Sequence, residues 1–462
     1  MKNVSSTKIR NRIAVKRAGK KTCLLFAFLL TGSIMGTAEV INEVSGISAD
    51  DIKIASVKTE LTLFDVYALA VHNSQQLPAA REILLQARSR KHQAIGSVLP
   101  RISIKGNVIF LEPDNQSSST QQTSISLYAR QPIITGLDEI TAFKNARYES
   151  AIARYELANS AGALLDSTAY CFFHILQLEK SLKNSNEIRD LYLKTMQELN
   201  RRVLVGKSRR SDLLRTSEKI YRIEATIRAL ESELMRCRLE LHALAGIPVD
   251  AVLIEGSDLH DPAEIPDPIN PLVENRWDIK AEIERVKLAQ ANIWASAGGQ
   301  FPSVYLEGAY RLYQESPNSG SEYYGALGFE IPLLAGEVPG RVEERFSIKR
   351  QAELNLAAKR KDAEREIRDS FQAWKGSLAE TESYRKALDA SERNHEVIMN
   401  EYRLNLVTIL DVLTTLESLQ NARNDYARIV LQHRLDRIRC GIAVNELSGR
   451  GISILKNSEE SK

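Results

Sequence analysis

The sequence predicts a mainly α protein with membrane-length β-strands, built as two copies of one unit: helix, β-hairpin, long helical hairpin. Three observations predict it. Two alternating runs in each half interrupt an otherwise helical period. The segment Pro132-Ile133-Ile134-Thr135-Gly136 is answered position for position by Pro332-Leu333-Leu334-Ala335-Gly336. Two turns also match: Gly206 is followed six residues later by Asp212-Leu213-Leu214, and Asn405 six residues later by Asp411-Val412-Leu413. Composition agrees, with 43% hydrophobic and 26% charged residues but only 6% aromatic, a balance suited to long charged helices.

Residues 1–38 read as an export signal. Lys2, Lys8, Arg10, Arg12, Lys16, Arg17, Lys20 and Lys21 precede the apolar run Cys23 to Leu30, and Gly36-Thr37-Ala38 ends it with small residues. That is a basic region, a short apolar region and a cleavage site after Ala38. The alternative, a membrane anchor, needs a run of about 20 apolar residues. Without the leader the chain keeps 54 basic and 59 acidic residues, a net charge of −5. The basic balance of the full sequence therefore gives no reason to expect a nucleic-acid partner.

The first unit spans 39–249. After a lead-in at 39–60, Thr62-Leu63-Phe64-Asp65 reads as a capping box. The helix it starts is interrupted near His72-Asn73-Ser74 and Pro78, and stops at Leu99-Pro100. The period then becomes two, with Ile102, Ile104, Val108 and Phe110 on one face and Lys105 and Asn107 on the other. This gives strands at about 101–111 and 122–131 around a polar loop, the second ended by Pro132. A helical hairpin follows at about 138–247.

Residues 250–272 are rich in Pro and Asp and read as a linker. The second unit spans 273–449, with strands at about 303–313 and 322–331 and a helical hairpin at about 341–447. A polar tail occupies 450–462. After residue 38 no run is long and apolar enough for a membrane helix, so any membrane crossing must use strands. Strands of about ten residues suffice when tilted. Four strands cannot close a barrel alone, because the smallest membrane barrels have about eight. Either the strands stay in water or several chains share one barrel. In the helical part, two short helices stacked end to end would match one long helix of about 100 Å.

The leader, the duplication, the Pro-bounded β-hairpins and the two tips together resemble the TolC-like outer membrane factors of Gram-negative bacteria, over about Leu61 to Leu447. The resemblance implies a homotrimer with a 12-stranded β-barrel among outer membrane lipid and a long α-helical barrel in the periplasm. It implies an exit duct for a tripartite efflux pump or a type I secretion system. The partners would be a periplasmic adaptor (membrane fusion protein) and an inner-membrane transporter of RND or ABC type. In this family the periplasmic gate lies at the tips. Asp411 falls on an aspartate that forms an acidic ring, and Thr414 stands where a second aspartate is found. Tyr402 and Asp212 fall on a tyrosine and an aspartate that hold the inner and outer hairpins together. The gate arginine falls on Val407.

Other readings stand beside these. Asp411 three residues after Thr408 also fits a helix cap. Arg201, Arg202, Lys207, Arg209, Arg210 and Arg215 crowd the first tip, as a solvated face or as an adaptor-docking surface. Gly206 and Asn405 suit the left-handed turns of the tips. A periplasmic coiled-coil adaptor or scaffold without a barrel would explain the helices but less well the four strands. Cys171, Cys237 and Cys440 are an odd set at wide spacing, expected as small buried residues rather than a disulfide framework or metal site. The seven histidines show no ligand spacing. No phosphate loop or nucleophile elbow is present, so neither a cofactor nor an enzyme is expected.

Overall fold

The computed structural model describes residues 60–111, 120–135, 138–256, 268–314, 322–333 and 336–447. The leader 1–38, the rest of the lead-in, both polar hairpin loops, the middle of the linker and the tail 450–462 lie outside them. In chain order the elements are β1 (Glu60–Leu61), α1 (Leu63–Asn73), α2 (Gln76–Ser97), β2 (Arg101–Leu111), β3 (Thr120–Thr135), α3 (Asp138–Leu204), α4 (Arg210–Ala245), β4 (Val252–Leu253), α5 (Asn270–Asn275), α6 (Trp277–Ala297), β5 (Ser303–Gln314), β6 (Tyr323–Glu330), α7 (Val338–Arg403) and α8 (Ile409–Ala443).

α1 starts where Thr62 caps it: the Asp65 carboxylate accepts from the Thr62 hydroxyl at 2.7 Å and from its backbone N–H at 3.0 Å. Pro78 sits in the first turn of α2, where its missing N–H has no intrahelical partner to lose. α3 has 67 residues and α7 has 66, each about 100 Å long. α3 packs on α1 and α2 along its first part, with Tyr67 donating to the Ala161 carbonyl at 3.1 Å. It packs on α4 along its second part, where Arg238 reaches Glu179 at 2.6 Å.

α4 ends at Gly246, whose φ of 69° is left-handed. There Asn73 Nδ2 donates to the Ala245 carbonyl at 2.7 Å, just before α2 begins. The second unit repeats the joint: Arg276 donates to the Ala443 carbonyl at 3.2 Å and Asn445 to the Asn275 carbonyl at 2.9 Å, where α6 begins. So α4 and α2 stack to flank α3, and α8 and α6 stack to flank α7. The main core joins α1 to α3, α4 and α8 through Val66, Phe172, Ile175, Leu241 and Ile438.

The four long strands form one antiparallel sheet in the order β2-β3-β5-β6. Pro132, expected to end its strand, does not: β3 runs on to Thr135, with a register shift against β5 between Pro132 and Ile134. A bulge accommodates a residue that has no N–H to donate. The linker also carries some regular structure. Val252–Leu253 pairs in parallel with Glu60–Leu61, and α5 begins within the linker and ends past it. These contacts join distant segments and leave no local pattern.

Candidate functional site: the sheet faces and the paired tips

Register assigns the sheet two chemically different faces. Ile104 sits opposite Leu127, Leu127 opposite Tyr310, and Tyr310 opposite Tyr323, while Leu306 sits opposite Leu327. This face is apolar and uncovered: Ile102 is 70% exposed, Leu327 67% and Phe329 73%. The other face is polar. Lys105 lies 3.3 Å over the Tyr128 ring, Arg130 3.8 Å over the Tyr305 ring, and the Tyr128 hydroxyl donates to Glu307. β2 and β6 each pair on one side only. No helix of the described residues is long and apolar enough to cross a membrane.

At the other end, the tips are two versions of one turn. Gly206 takes φ 75°, and Asn405 takes φ 63°. In the first, Lys207 N–H donates to the Arg202 carbonyl at 2.8 Å and Gly206 N–H to Val203 at 3.0 Å. In the second, Leu406 N–H donates to Glu401 at 2.9 Å and Asn405 N–H to Tyr402 at 3.1 Å. Both are the paired carbonyl closures that end a helix on a left-handed residue.

The caps that follow differ. The Asp411 carboxylate accepts from Thr408 N–H at 2.8 Å and the Thr408 hydroxyl at 2.6 Å, and Asp411 N–H donates back to that hydroxyl at 3.4 Å. Both bonds to the carboxylate fall on Oδ2. The Thr408 hydroxyl and N–H hold the Asp411 carboxyl below its ordinary range. Asp212 accepts from Arg209 N–H at 3.3 Å. Arg209 has no side-chain acceptor to return the bond, so its backbone carbonyl takes the Asp212 N–H instead, at 3.1 Å.

Tyr402 is buried in a core shared by the two hairpins, with Ile188, Tyr192, Ile220, Val412 and Leu416. Burial, the largest influence, pushes its phenol above the usual value, with Arg202 and Ser208 acting against it. The hydroxyl makes no hydrogen bond of ordinary geometry among the described residues. Asp212 acts on it only through charge. Val407, where the resemblance would put a gate arginine, packs on the same core.

The residue that joins the tips is Arg202. Its guanidinium stacks 4.2 Å over the Tyr402 ring, donates to Asn405 Oδ1 at 2.8 Å, approaches the Arg403 carbonyl at 3.5 Å and pairs with Glu198 at 3.1 Å. Nothing local singles it out from its basic neighbours, except that Glu198 stands one turn before it. Arg201, Lys207, Arg209, Arg210 and Arg215 form no ion pair among the described residues. Farther from the tips, Lys219 pairs with Glu417 at 2.9 Å, and Arg423 bridges Glu187 at 2.9 Å and Glu392 at 3.1 Å. The tips also carry apolar side chains in solvent: Leu204 is 80% exposed, Leu404 70% and Leu406 69%.

A sheet with one apolar and one polar face, two open edges and helical columns ending in paired tips is the arrangement expected of a subunit that shares a barrel with other copies. The comparisons with known proteins agree. Residues 269–439 match the family model described as outer membrane efflux protein. The chain is 24% identical over 420 residues to the pyoverdine export outer membrane protein OpmQ of Pseudomonas putida, covering 83% of this chain and 84% of that one. It is 19% identical over 435 residues to outer membrane protein TolC of Escherichia coli, covering 87% and 86%. Its fold superposes on the outer membrane protein VceC of Vibrio cholerae with a TM-score of 0.73 at 20% identity, over 84% of this chain and 96% of that one. The chain is thus similar over most of its length to TolC-like outer membrane efflux proteins.

Proposed function

We propose that three copies of this chain form a passive exit duct in the outer membrane, with the helices continuing into the periplasm as a tunnel gated at the tips. The observation that carries this is the four-stranded sheet. Its apolar face is the kind that lipid covers, its polar face the kind that lines a lumen. Its open β2 and β6 edges would each leave backbone groups unpaired in lipid at several kcal/mol apiece. Pairing β6 of one copy with β2 of the next removes every edge, and three copies give the 12-stranded barrel that the resemblance implies. A soluble scaffold gives the apolar face nothing to cover it.

The three second tips then converge on one axis. Asp411 would cap α8 through Oδ2 and present Oδ1 to passing ions, so three carboxylates would favour cations. The tips would meet a periplasmic adaptor through Leu204, Leu404 and Leu406, with Arg209 and Arg210 free to meet acidic groups. An inner-membrane transporter of RND or ABC type would complete the pump or secretion system. Membrane fractionation tests the reading: the chain should enter the outer membrane fraction and run as a trimer that heat dissociates. A soluble monomer or dimer would overturn it.

A further inference from the structure

The first helical hairpin carries a group of side chains that the gate does not use. About 45 Å from the tip, counting roughly 30 residues at ~1.5 Å each, His174 on α3 faces Glu233 and Cys237 on α4. His174 Nε2 lies 3.7 Å from Glu233 Oε1, and Cys237 Sγ lies 3.9 Å from the same oxygen. One donor atom from each residue lies within 4.8 Å of the other two. Helix period explains the meeting: Glu233 and Cys237 are four residues apart and share a face of α4, while α3 runs antiparallel beside it. Cys237 is buried, and His174 and Glu233 are half-buried. The Tyr170 ring stacks on the imidazole at 5.7 Å and 15°, which restricts its orientation.

The 3.7 and 3.9 Å separations are close to those of metal ligands, and the third, within 4.8 Å, closes with a small side-chain rotation. A tetrahedral ion with bonds of about 2.0–2.3 Å holds its ligands roughly 3.3–3.8 Å apart. The donor set is sulfur, nitrogen and oxygen. Calcium and magnesium require oxygen shells, whereas thiolate with imidazole selects a borderline transition ion. One group competes. Arg236 donates to both Glu233 oxygens, Nη2 to Oε1 at 2.5 Å and Nε to Oε2 at 3.2 Å. That arginine is largely exposed, and its Nη1 already lies 4.0 Å from Glu240, so its fork can turn to that carboxylate when an ion takes Glu233.

We propose that His174, Glu233 and Cys237 form a binding site for a zinc-class divalent cation that ties α3 to α4 partway along the hairpin. Water takes the fourth position, and the Cys237 thiol releases its proton to solvent as the sulfur–metal bond forms. Nothing in the export role requires this site, so it stands or falls independently of the duct.

The test uses the full chain purified in detergent, stripped with chelator, kept reduced and titrated with Co²⁺ alone. One ion per chain should bind, with a thiolate-to-cobalt charge-transfer band that Zn²⁺ then displaces. Cys237→Ser should abolish the band. His174→Ala should weaken binding by more than about tenfold. Cys171→Ala, which removes the neighbouring buried thiol, should leave the band in place. Absence of the band from the unsubstituted protein, or its survival in Cys237→Ser, overturns the proposal. Should Cys237→Ser fail to fold, Glu233→Gln decides: an unchanged Co²⁺ affinity refutes the site, and a loss of more than about tenfold supports it.

Discussion

Removing Arg202 should loosen the tips of each chain against each other. Arg202→Ala deletes three contacts to the second tip: the 2.8 Å bond to Asn405, the longer one to the Arg403 carbonyl and the stacking on Tyr402. The Glu198 pair lies within α3 and does not count toward tip closure. A hydrogen bond from a charged donor at a partly exposed site contributes about 1 kcal/mol, and the cation–π contact about 0.5–1 kcal/mol. The sum, about 1.5–2 kcal/mol, shifts the local opening equilibrium about 10- to 30-fold. Bilayer recordings of the purified protein should show higher conductance or open probability. Amide exchange at 403–406 should accelerate by the same factor. Arg202→Lys, which keeps charge but loses the planar fork, should fall between the two. Tyr402→Phe keeps the ring beneath the guanidinium and should change little, because its hydroxyl makes no ordinary hydrogen bond. If Arg202→Ala left conductance and exchange unchanged while Tyr402→Phe opened the channel, the latch would run through the tyrosine hydroxyl, and the assignment to Arg202 would be wrong.

Four further outcomes follow from the geometry. Asp411→Ala should reduce cation preference measured from reversal potentials. The Asp411 carboxyl is held below its ordinary 3.8, so its cap and its charge are fully present above that pH and are lost only as pH falls through the lower folded value; an apparent pKa above 3.8 would mean that repulsion among three converging carboxylates outweighs the Thr408 bonds. Gly246→Ala should cost about 1–3 kcal/mol in denaturant unfolding, because φ is 69° and the new Cβ would lie 2.6 Å from Asn73 Nδ2; Gly206→Ala, in open space, should carry only the left-handed cost of about 1–2 kcal/mol. Arg276→Ala removes a buried guanidinium bound to Asp278 at 2.9 Å, Glu366 at 2.7 Å and the Ala443 carbonyl, and should lower stability by about 3 kcal/mol. Gly328→Ala places a methyl against the Tyr305 ring and should displace it from Arg130, changing single-channel conductance without changing trimer yield.

The sequence showed the fold wherever one local signal decided it. Ile102 and Ile104 against Lys105 gave period two, and Thr408 with Asp411 gave a cap readable within four residues. Pro132 misled because proline excludes only one ladder bond, and a bulge in the pairing with β5 absorbs that loss. The β1–β4 pair was invisible because two residues carry no period. Arg202 could not be separated from the other basic residues near the first tip, because its role depends on Asn405, 203 positions away. The meeting of His174 with Cys237 was hidden for the same reason: scattered positions acquire a common face only when α3 and α4 lie side by side.

The end-to-end joints have a consequence for assembly in time. Asn73 closes on a carbonyl 172 positions later, and Asn445 on one 170 positions earlier. Helices such as α3 need only local contacts and can form quickly, whereas these joints must await most of a unit and bear a loop-closure delay. Each straight wall is therefore the last thing its unit completes. A chain delivered in order from its N-terminus would hold the first joint while the second is still waiting for its final residues, so half-built subunits would offer neighbours one finished wall and one loose one.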